Sequence, residues 1–439
     1  MPSQAPNSQA NADEASAGYS STLNKTARSS QIEENGEAQS DNPVSSSRSS
    51  IQLGPSTSHQ DSRCTPSRPR WRRYLSNIKW FIADQWFLVA LGFFILLASQ
   101  VQVPGSQQEK KEIVVTYLCV AVIFLITGCT LPTKVLFANY SRWKLHIFVQ
   151  LQSFLLTSVI VYGVVSLCAT NPDFMDPGLL VGLIFTGCVP TTISSNVIMT
   201  KQANGNQALT VVQSTLGNFL GPFISPLLIL MYLSTGAWYT KVVPGIGAGG
   251  FGELYKRVFK QLGLSIFLPL FVGQVLQNLF PRATHKVFND WKFSKLGSWS
   301  LLIIIWQTYD QAFETHAFDS VKGNNIVFIV FMSIVFYTLW TVTCFLLSRL
   351  WLDKADTIAV AYVVPAKTPA MGVPLSNVMF AGLAPITESK LQIPMVIFQG
   401  LQIAAGSLLT IVFRNWIGDV EDEERKDVET AQEPDRGER

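Results

Sequence analysis

Two short stretches place proline and small polar side chains inside apolar runs: "GCVPTTISSNV" at 187–197 and "VVPAKTPAMGVP" at 363–374. Pro190, Pro365 and Pro369 have no N–H, and each ring clashes with the preceding turn, so a helix frays there. Backbone groups freed in this way cannot face lipid. They persist only where protein buries them or where they line a wet cavity. Thr191, Thr192, Ser194, Ser195 and Asn196 supply short polar side chains that can satisfy those groups or coordinate an ion. The half-helix ending near Cys188 offers free carbonyls to a cation, and the one starting near Ser195 points its positive end at the same gap. One such stretch is as readily a patched kink as a binding site. Two in matching places of two halves point to a transporter site.

The chain around them is built for lipid. Its 439 residues are 48% hydrophobic and 14% charged, where a soluble domain carries roughly a quarter charged residues. Mean hydropathy is positive, at +0.25. The charges gather at the two ends, the pattern of an all-α polytopic membrane protein whose first partner is membrane lipid. The net charge of +3 is spread along loops, which argues against a nucleic-acid partner. The six cysteines have no metal or redox spacing, and His146, His285 and His316 are isolated. With no Ser/His/Asp or metal-ligand cluster, neither enzymatic activity nor a cofactor is expected.

Hydropathy windows give ten expected spans, at roughly 80–99, 113–131, 145–168, 178–200, 207–233, 256–279, 296–313, 326–350, 357–380 and 392–413. The fourth and ninth are the broken ones, and Pro222 and Pro226 predict a kink in the fifth. Pro190 lies about 110 residues after the first span begins, and Pro365 about 110 after the sixth. Five spans per half is an odd number, so the second half runs upside-down: an inverted repeat, about 75–235 against 254–417. Residues 1–74 are rich in Ser, Gln and Asn, and 418–439 are acidic and polar. Both read as disordered tails. Lysine and arginine cluster on the tail side, which places both termini in the cytosol. The plasma membrane is the expected location, with the vacuolar and Golgi membranes as alternatives. Thr65 and Ser67, among arginines beside the first span, form a candidate phosphorylation switch.

The stretch "GCVPTTISSNVIMTKQANGNQALTVVQSTLGNFLGP", with "FLITGCTLPTKVL", "KLHIFVQ", "GVPLSNVMFAG" and "QIPMVIFQGLQI", resembles the bile acid:sodium symporter superfamily. The closer similarity is to its seventh-member branch, whose fungal relatives regulate calcium homeostasis. The resemblance covers roughly 75–417. It implies ten helices in a panel and a core domain, with broken helices 4 and 9 crossing at mid-membrane. Ser195, Asn196 and Ser214 match the family's sodium ligands, with Thr215 a neighbouring alternative. The chain departs from the family in the ninth helix, where transporting relatives place Glu and then Gln-Asn. Here Val363, Lys367 and Thr368 stand at those places, so sodium coupling is expected to be weak or absent.

An ammonium at mid-membrane costs about 2.5–3.5 kcal/mol on insertion scales, so Lys367 needs a partner or a wet pocket. Either it serves as a tethered cation or counter-charge to an anionic ligand, or it is a structural lysine bonded to helix-end carbonyls. The sequence leaves both open. Calcium wants six to eight hard oxygens, several of them carboxylates. Acidic residues are nearly absent from the spans, and Asp310 and Glu314 read as facing water near a helix end. A high-affinity calcium path through the crossing is therefore not expected. The leading expectation is a solute carrier-like membrane protein that negatively regulates calcium influx, with sodium- or proton-linked solute transport behind it. The alternatives are a symporter for a small organic anion, or a non-transporting modulator of a calcium channel or its regulators.

Overall fold

The computed structural model describes residues 86–131, 142–172, 174–243 and 250–432. The N-terminal tail with Thr65 and Ser67, and the start of the first expected span, lie outside them. Every regular element among the described residues is helical. In chain order, α1 is Trp86–Gln100 and α2 is Gly105–Thr130. The third helix, α3, begins as Trp143–Leu151, passes a π turn at Gln152–Leu156 and ends as Thr157–Cys168. There follow α4 (Pro177–Cys188), α5 (Ser194–Gln202) and α6 (Gln207–Leu233). Helix α7 joins Gly250–Leu262 to Leu268–Leu279 through a second π turn. Then come α8 (Lys295–Glu314), α9 (Gly323–Arg349), α10 (Lys354–Val363), α11 (Pro369–Met379) and α12 (Pro385–Gln432).

The helix ends follow from local chemistry. Asp176 caps α4 by accepting from the Gly178 N–H at 2.9 Å, with Pro177 in the first helical position where its missing N–H costs nothing. Asn206 caps α6 through the Leu209 N–H at 3.0 Å. Thr368 caps α11, its Oγ1 accepting from the Ala370 N–H at 3.3 Å ahead of Pro369. Pro222 and Pro226 do not interrupt α6, which runs unbroken through both. The last helix continues past 418 to Gln432, so the stretch expected as a disordered tail begins as helix.

Among the described residues, six helices are long and apolar enough to cross a membrane: α2, α3, α6, α7, α9 and the Pro385–Gly418 part of α12. Shorter apolar helices occur at α1 and α4. The other expected spans fall short for identifiable reasons. The broken pairs α4/α5 and α10/α11 are each too short singly, and α8 carries Gln307, Thr308, Asp310 and Gln311 along its buried side. Large apolar side chains stand outward on the long helices, for example Leu118, Val159, Leu227, Phe331 and Ile411. Glutamines, serines and threonines turn inward. That inside-out distribution is what a lipid solvent selects, and the chain is an integral membrane protein.

Packing brings α2 against α7 and α8, and α4 and α9 against α12. At the α2–α7 crossing Gly128 and Gly273 face each other so closely that a Cβ on either would strike the other helix's backbone. Small residues permit such close approach in lipid. Gly182 meets α12 in the same way, 2.5 Å from the Leu391 carbonyl oxygen to where a Cβ would stand.

Candidate functional site

The two breaks touch. The Thr368 N–H donates to the Pro190 carbonyl at 3.0 Å, so the gap between α4 and α5 is bonded directly to the gap between α10 and α11. Around this contact the freed backbone of the first break is answered carbonyl by carbonyl. Gly187 O accepts from Thr157 Oγ1 at 3.1 Å, and Cys188 O from Ser225 Oγ at 2.8 Å. Thr191 O accepts from Asn218 Nδ2 at 2.8 Å, and Thr192 O from Asn196 Nδ2 at 2.9 Å. An unanswered buried carbonyl costs about 1–3 kcal/mol. The polar side chains of α3, α5 and α6 are therefore what make this break tolerable in a membrane.

The second break is held differently. Gln402 of α12 clamps Lys367: its Oε1 accepts the Lys367 N–H at 2.8 Å, and its Nε2 donates to the Lys367 carbonyl at 2.7 Å. The Lys367 side chain is fully buried. Its ammonium donates to Ser153 O at 2.6 Å, in the π turn of α3, and to Thr157 Oγ1 at 2.9 Å. It also lies 5.5 Å from the ring centre of Trp340, a cation–π distance. The single Thr157 hydroxyl proton has two acceptors in reach, Ser153 O at 2.6 Å and Gly187 O at 3.1 Å, so the ammonium stands one threonine away from the carbonyl end of α4.

The expected site residues divide into those buried in the network and those facing open space. Thr191 and Asn196 are buried, with Asn196 Nδ2 donating to Thr191 Oγ1 at 2.9 Å. Ser214 is fully buried, and its hydroxyl has no protein partner; the Thr215 hydroxyl has none either. Thr192, Ser194, Ser195 and Thr368 line a cavity of about 130 Å³ beside the first break, walled on its far side by Phe124 and Leu301. An adjoining recess of about 680 Å³ shares Ser194 and Ser298 with that cavity and extends to Thr215 and Lys295. Ligand sites take this form, mostly apolar walls with a few placed polar groups. Among the described residues, the one charged side chain that lines either space is Lys295.

As a sodium site, Ser195, Asn196 and Ser214 fit in part. The Asn196 amide donates through Nδ2 to Thr191 and Thr192, so its Oδ1, the atom that would meet a cation, takes no part in those bonds. Ser195 stands in the cavity wall, and Ser214 connects to Asn196 only through Asn218 and Thr191. The orphaned Ser214 hydroxyl and the Asn196 Oδ1 are the features in favour. Val363, where a carboxylate would stand by the family resemblance, is buried and apolar, and the ionisable side chain at the crossing is Lys367.

Several residues that matter are not marked by the motif. Asn218, Gln402, Ser153, Thr157 and Ser225 lie in spans other than the broken ones. Asn218 and Gln402 fall within stretches that carry the family resemblance; for Ser153, Thr157 and Ser225 the sequence signal is a hydrogen-bonding side chain within an apolar run. Asp310 corrects the expectation that it faces water. It is fully buried, accepts from the Val103 N–H at 2.9 Å and Gln108 Nε2 at 2.9 Å, and pairs with Lys111.

With this geometry in place, comparison with known proteins is direct. Residues 85–415 match the SBF-like CPA transporter family. "Solute carrier RCH1" of Candida albicans is 38% identical over 393 residues, spanning 82% of this chain and 95% of that protein. "Solute carrier RCH1" of Saccharomyces cerevisiae is 35% identical over 374 residues, 77% of this chain and 85% of that one. "Sodium/bile acid cotransporter 7" of Xenopus tropicalis is 28% identical over 347 residues, 76% of this chain and 93% of that one. A family match over well over half the chain, together with two touching helix breaks beside a cavity, places the chain in the SBF-like CPA transporter family.

Proposed function

We propose that the protein is a ten-pass solute carrier in which Lys367 takes the place of a bound coupling cation, and whose activity restrains calcium entry into the cell. In this reading the two halves are inverted repeats. Helices α1, α2, α7 and α8 form the panel, the remainder forms the core, and both termini lie in the cytosol of a plasma-membrane protein. The observation that carries it is the buried Lys367 ammonium held by Ser153 O and Thr157 Oγ1, one threonine away from the carbonyl end of α4. A helix C-terminus favours positive charge; here the chain supplies that charge itself, so filling the site requires no sodium.

The solute enters the cavity beside the first break. The apolar far wall suits a hydrophobic body, and Lys295 with the Thr192–Ser195 hydroxyl groups suits an anionic end. A lysine-lined path does not suit a divalent cation, so the effect on calcium is indirect, exerted through the solute or through a channel partner. The test is a strain lacking the gene, scored for calcium uptake and for growth in high calcium. Wild type should restore restrained uptake, whereas Lys367→Gln at equal membrane abundance should restore less than about a tenth of it, a barrier change of roughly 1.4 kcal/mol or more. Full rescue by Lys367→Gln would discard the fixed-cation reading. Equal calcium uptake with and without the gene would discard the calcium role. An organic-anion symporter remains the second reading, favoured by Lys295 in the recess; sodium-dependent solute uptake would support it.

A further inference from the structure

A second polar cluster lies at the other end of α2. Gln108, Glu112 and Thr116 are spaced four residues apart and share one face of that helix. Glu388 and Gln392 share a face of α12 in the same way. Residues 112 and 127 of α2 are separated by about 22 Å along the axis, so this cluster is remote from the recess that Thr127 lines. Between the two faces stands Asn377 of α11. Asn377 Nδ2 donates to Thr116 Oγ1 at 3.4 Å, and the side chain also bonds the Glu112 carboxylate. Gln392 Nε2 donates to Asn377 Oδ1 at 2.7 Å and to Ser376 Oγ at 3.4 Å. The Glu112 carboxylate in turn acts electrostatically on Glu388.

The cluster has more acceptors than donors. Gln392 is 1% exposed, yet its Oε1 has no donor; Gln108 Oε1, on the Glu112 face of α2, is orphaned too. The neighbouring ammonium groups are already engaged, Lys111 with Asp310 and Lys390 with Asp176 at 2.8 Å. Lys111 acts on the Glu112 carboxylate only electrostatically; among the described residues no ammonium pairs with Glu112 or Glu388, and the two buried amide oxygens have no donor. Buried acceptors without donors cost about 1–3 kcal/mol each, and a hard cation is the ligand that satisfies carboxylate and amide oxygens together.

We propose that Glu112 and Glu388, with the Gln392 and Asn377 oxygens between them, bind a divalent cation of the calcium type. Such a cation ties α2 to α11 and α12 at the end of the molecule away from the cavity. Two carboxylates are fewer than a tight site uses, which sets the affinity in the range of weak extracellular sites, about 0.1–1 mM. The site is independent of Lys367 and of any solute.

The experiment uses the purified full-length chain in detergent. Its Tm is followed as calcium chloride is raised to about 10 mM, which spans that affinity, with sodium chloride at matched ionic strength as the control. Calcium should raise the wild-type Tm in a saturable manner. Glu388→Gln and Glu112→Gln should each weaken the apparent affinity at least tenfold while leaving the metal-free Tm close to wild type. Where a variant does not fold, terbium luminescence on the wild-type protein decides, and calcium should displace the bound terbium. No calcium shift, an equal shift with sodium chloride, an unchanged calcium response in the variants, or terbium that calcium does not displace would each overturn the site.

Discussion

The two helix breaks meet at one hydrogen bond but are stabilised by different chemistry. The first, between Cys188 and Ser194, is neutral. Its carbonyls are answered one at a time by Thr157, Ser225, Asn218 and Asn196, and it opens onto a cavity through Thr192, Ser194 and Ser195. The second, between Val363 and Pro369, is buried, and Thr368 alone of its residues lines that cavity. One glutamine, Gln402, serves both backbone groups of Lys367, and the lysine turns its charge towards α3 and the first break. A break served by many separate donors tolerates the loss of any one. A break served by a single clamp does not, and the two regions should fail differently.

The largest expected effect tests that asymmetry. Gln402→Leu orphans the Lys367 N–H and carbonyl together, at about 1–3 kcal/mol for each group. The protein should unfold at a markedly lower denaturant concentration, or fail to accumulate. Asn218→Leu removes one donor from Thr191 O, and Ser214 O keeps its place in the α6 ladder. The expected cost is about 1–3 kcal/mol, visible in the same unfolding titration. A larger loss for Asn218→Leu than for Gln402→Leu would reverse the comparison.

Pro190→Ala separates cause from consequence. If the first break were only a proline defect, restoring an N–H would close it and the cavity would disappear. Since side chains hold the break open, the substitution should leave it intact and lower stability by about 0.4–1 kcal/mol through a looser unfolded chain. Accessibility of a cysteine placed at Ser195 to a polar thiol reagent should be unchanged.

The smallest effect concerns the starts of the broken helices. Asp176 caps α4 and pairs with Lys390. At the start of α10 Asp356 pairs with Arg142 and accepts from Asn206 Nδ2 at 2.7 Å. Beside it, burial first and then the Asp356 charge push the Asp353 carboxyl above the usual carboxylate range. A carboxyl whose folded pKa is raised holds its proton longer when folded, so its contribution weakens the fold as pH rises from the unfolded pKa to the folded one. Asp353→Asn should therefore gain Tm relative to wild type across that interval and match it at lower pH.

Much of this was legible in the sequence. The positions of both breaks follow from Pro190, Pro365 and Pro369 with the small polar residues beside them: a residue without an N–H weakens a helix, but Pro222 and Pro226 show that proline alone does not end one. The membrane character follows from composition, and the interest of Lys367 follows from a charge in an apolar run. The partners were not legible. Nothing near Gln402, Thr157 or Asn218 in the chain says which carbonyl each will meet, since an isolated hydrogen-bonding residue on a long helix reads the same whether it faces a backbone gap, a neighbour or lipid headgroups. Asp310 shows the same limit: near a helix end it resembles a solvent-facing carboxylate, yet Lys111 and Gln108 enclose it.

By itself, then, the sequence determined where the backbone must lose its own hydrogen bonds and that an uncompensated ammonium lies beside one such place, because both are properties of single residues in a local helix. Only the tertiary structure decided that the two gaps bond to each other, that Lys367 reaches Ser153 and Thr157, and that a cavity opens beside the first break with Thr368 of the second in its wall. Those outcomes depend on which helices lie side by side, and helix neighbours are set by packing across the whole membrane domain rather than by any one stretch of chain.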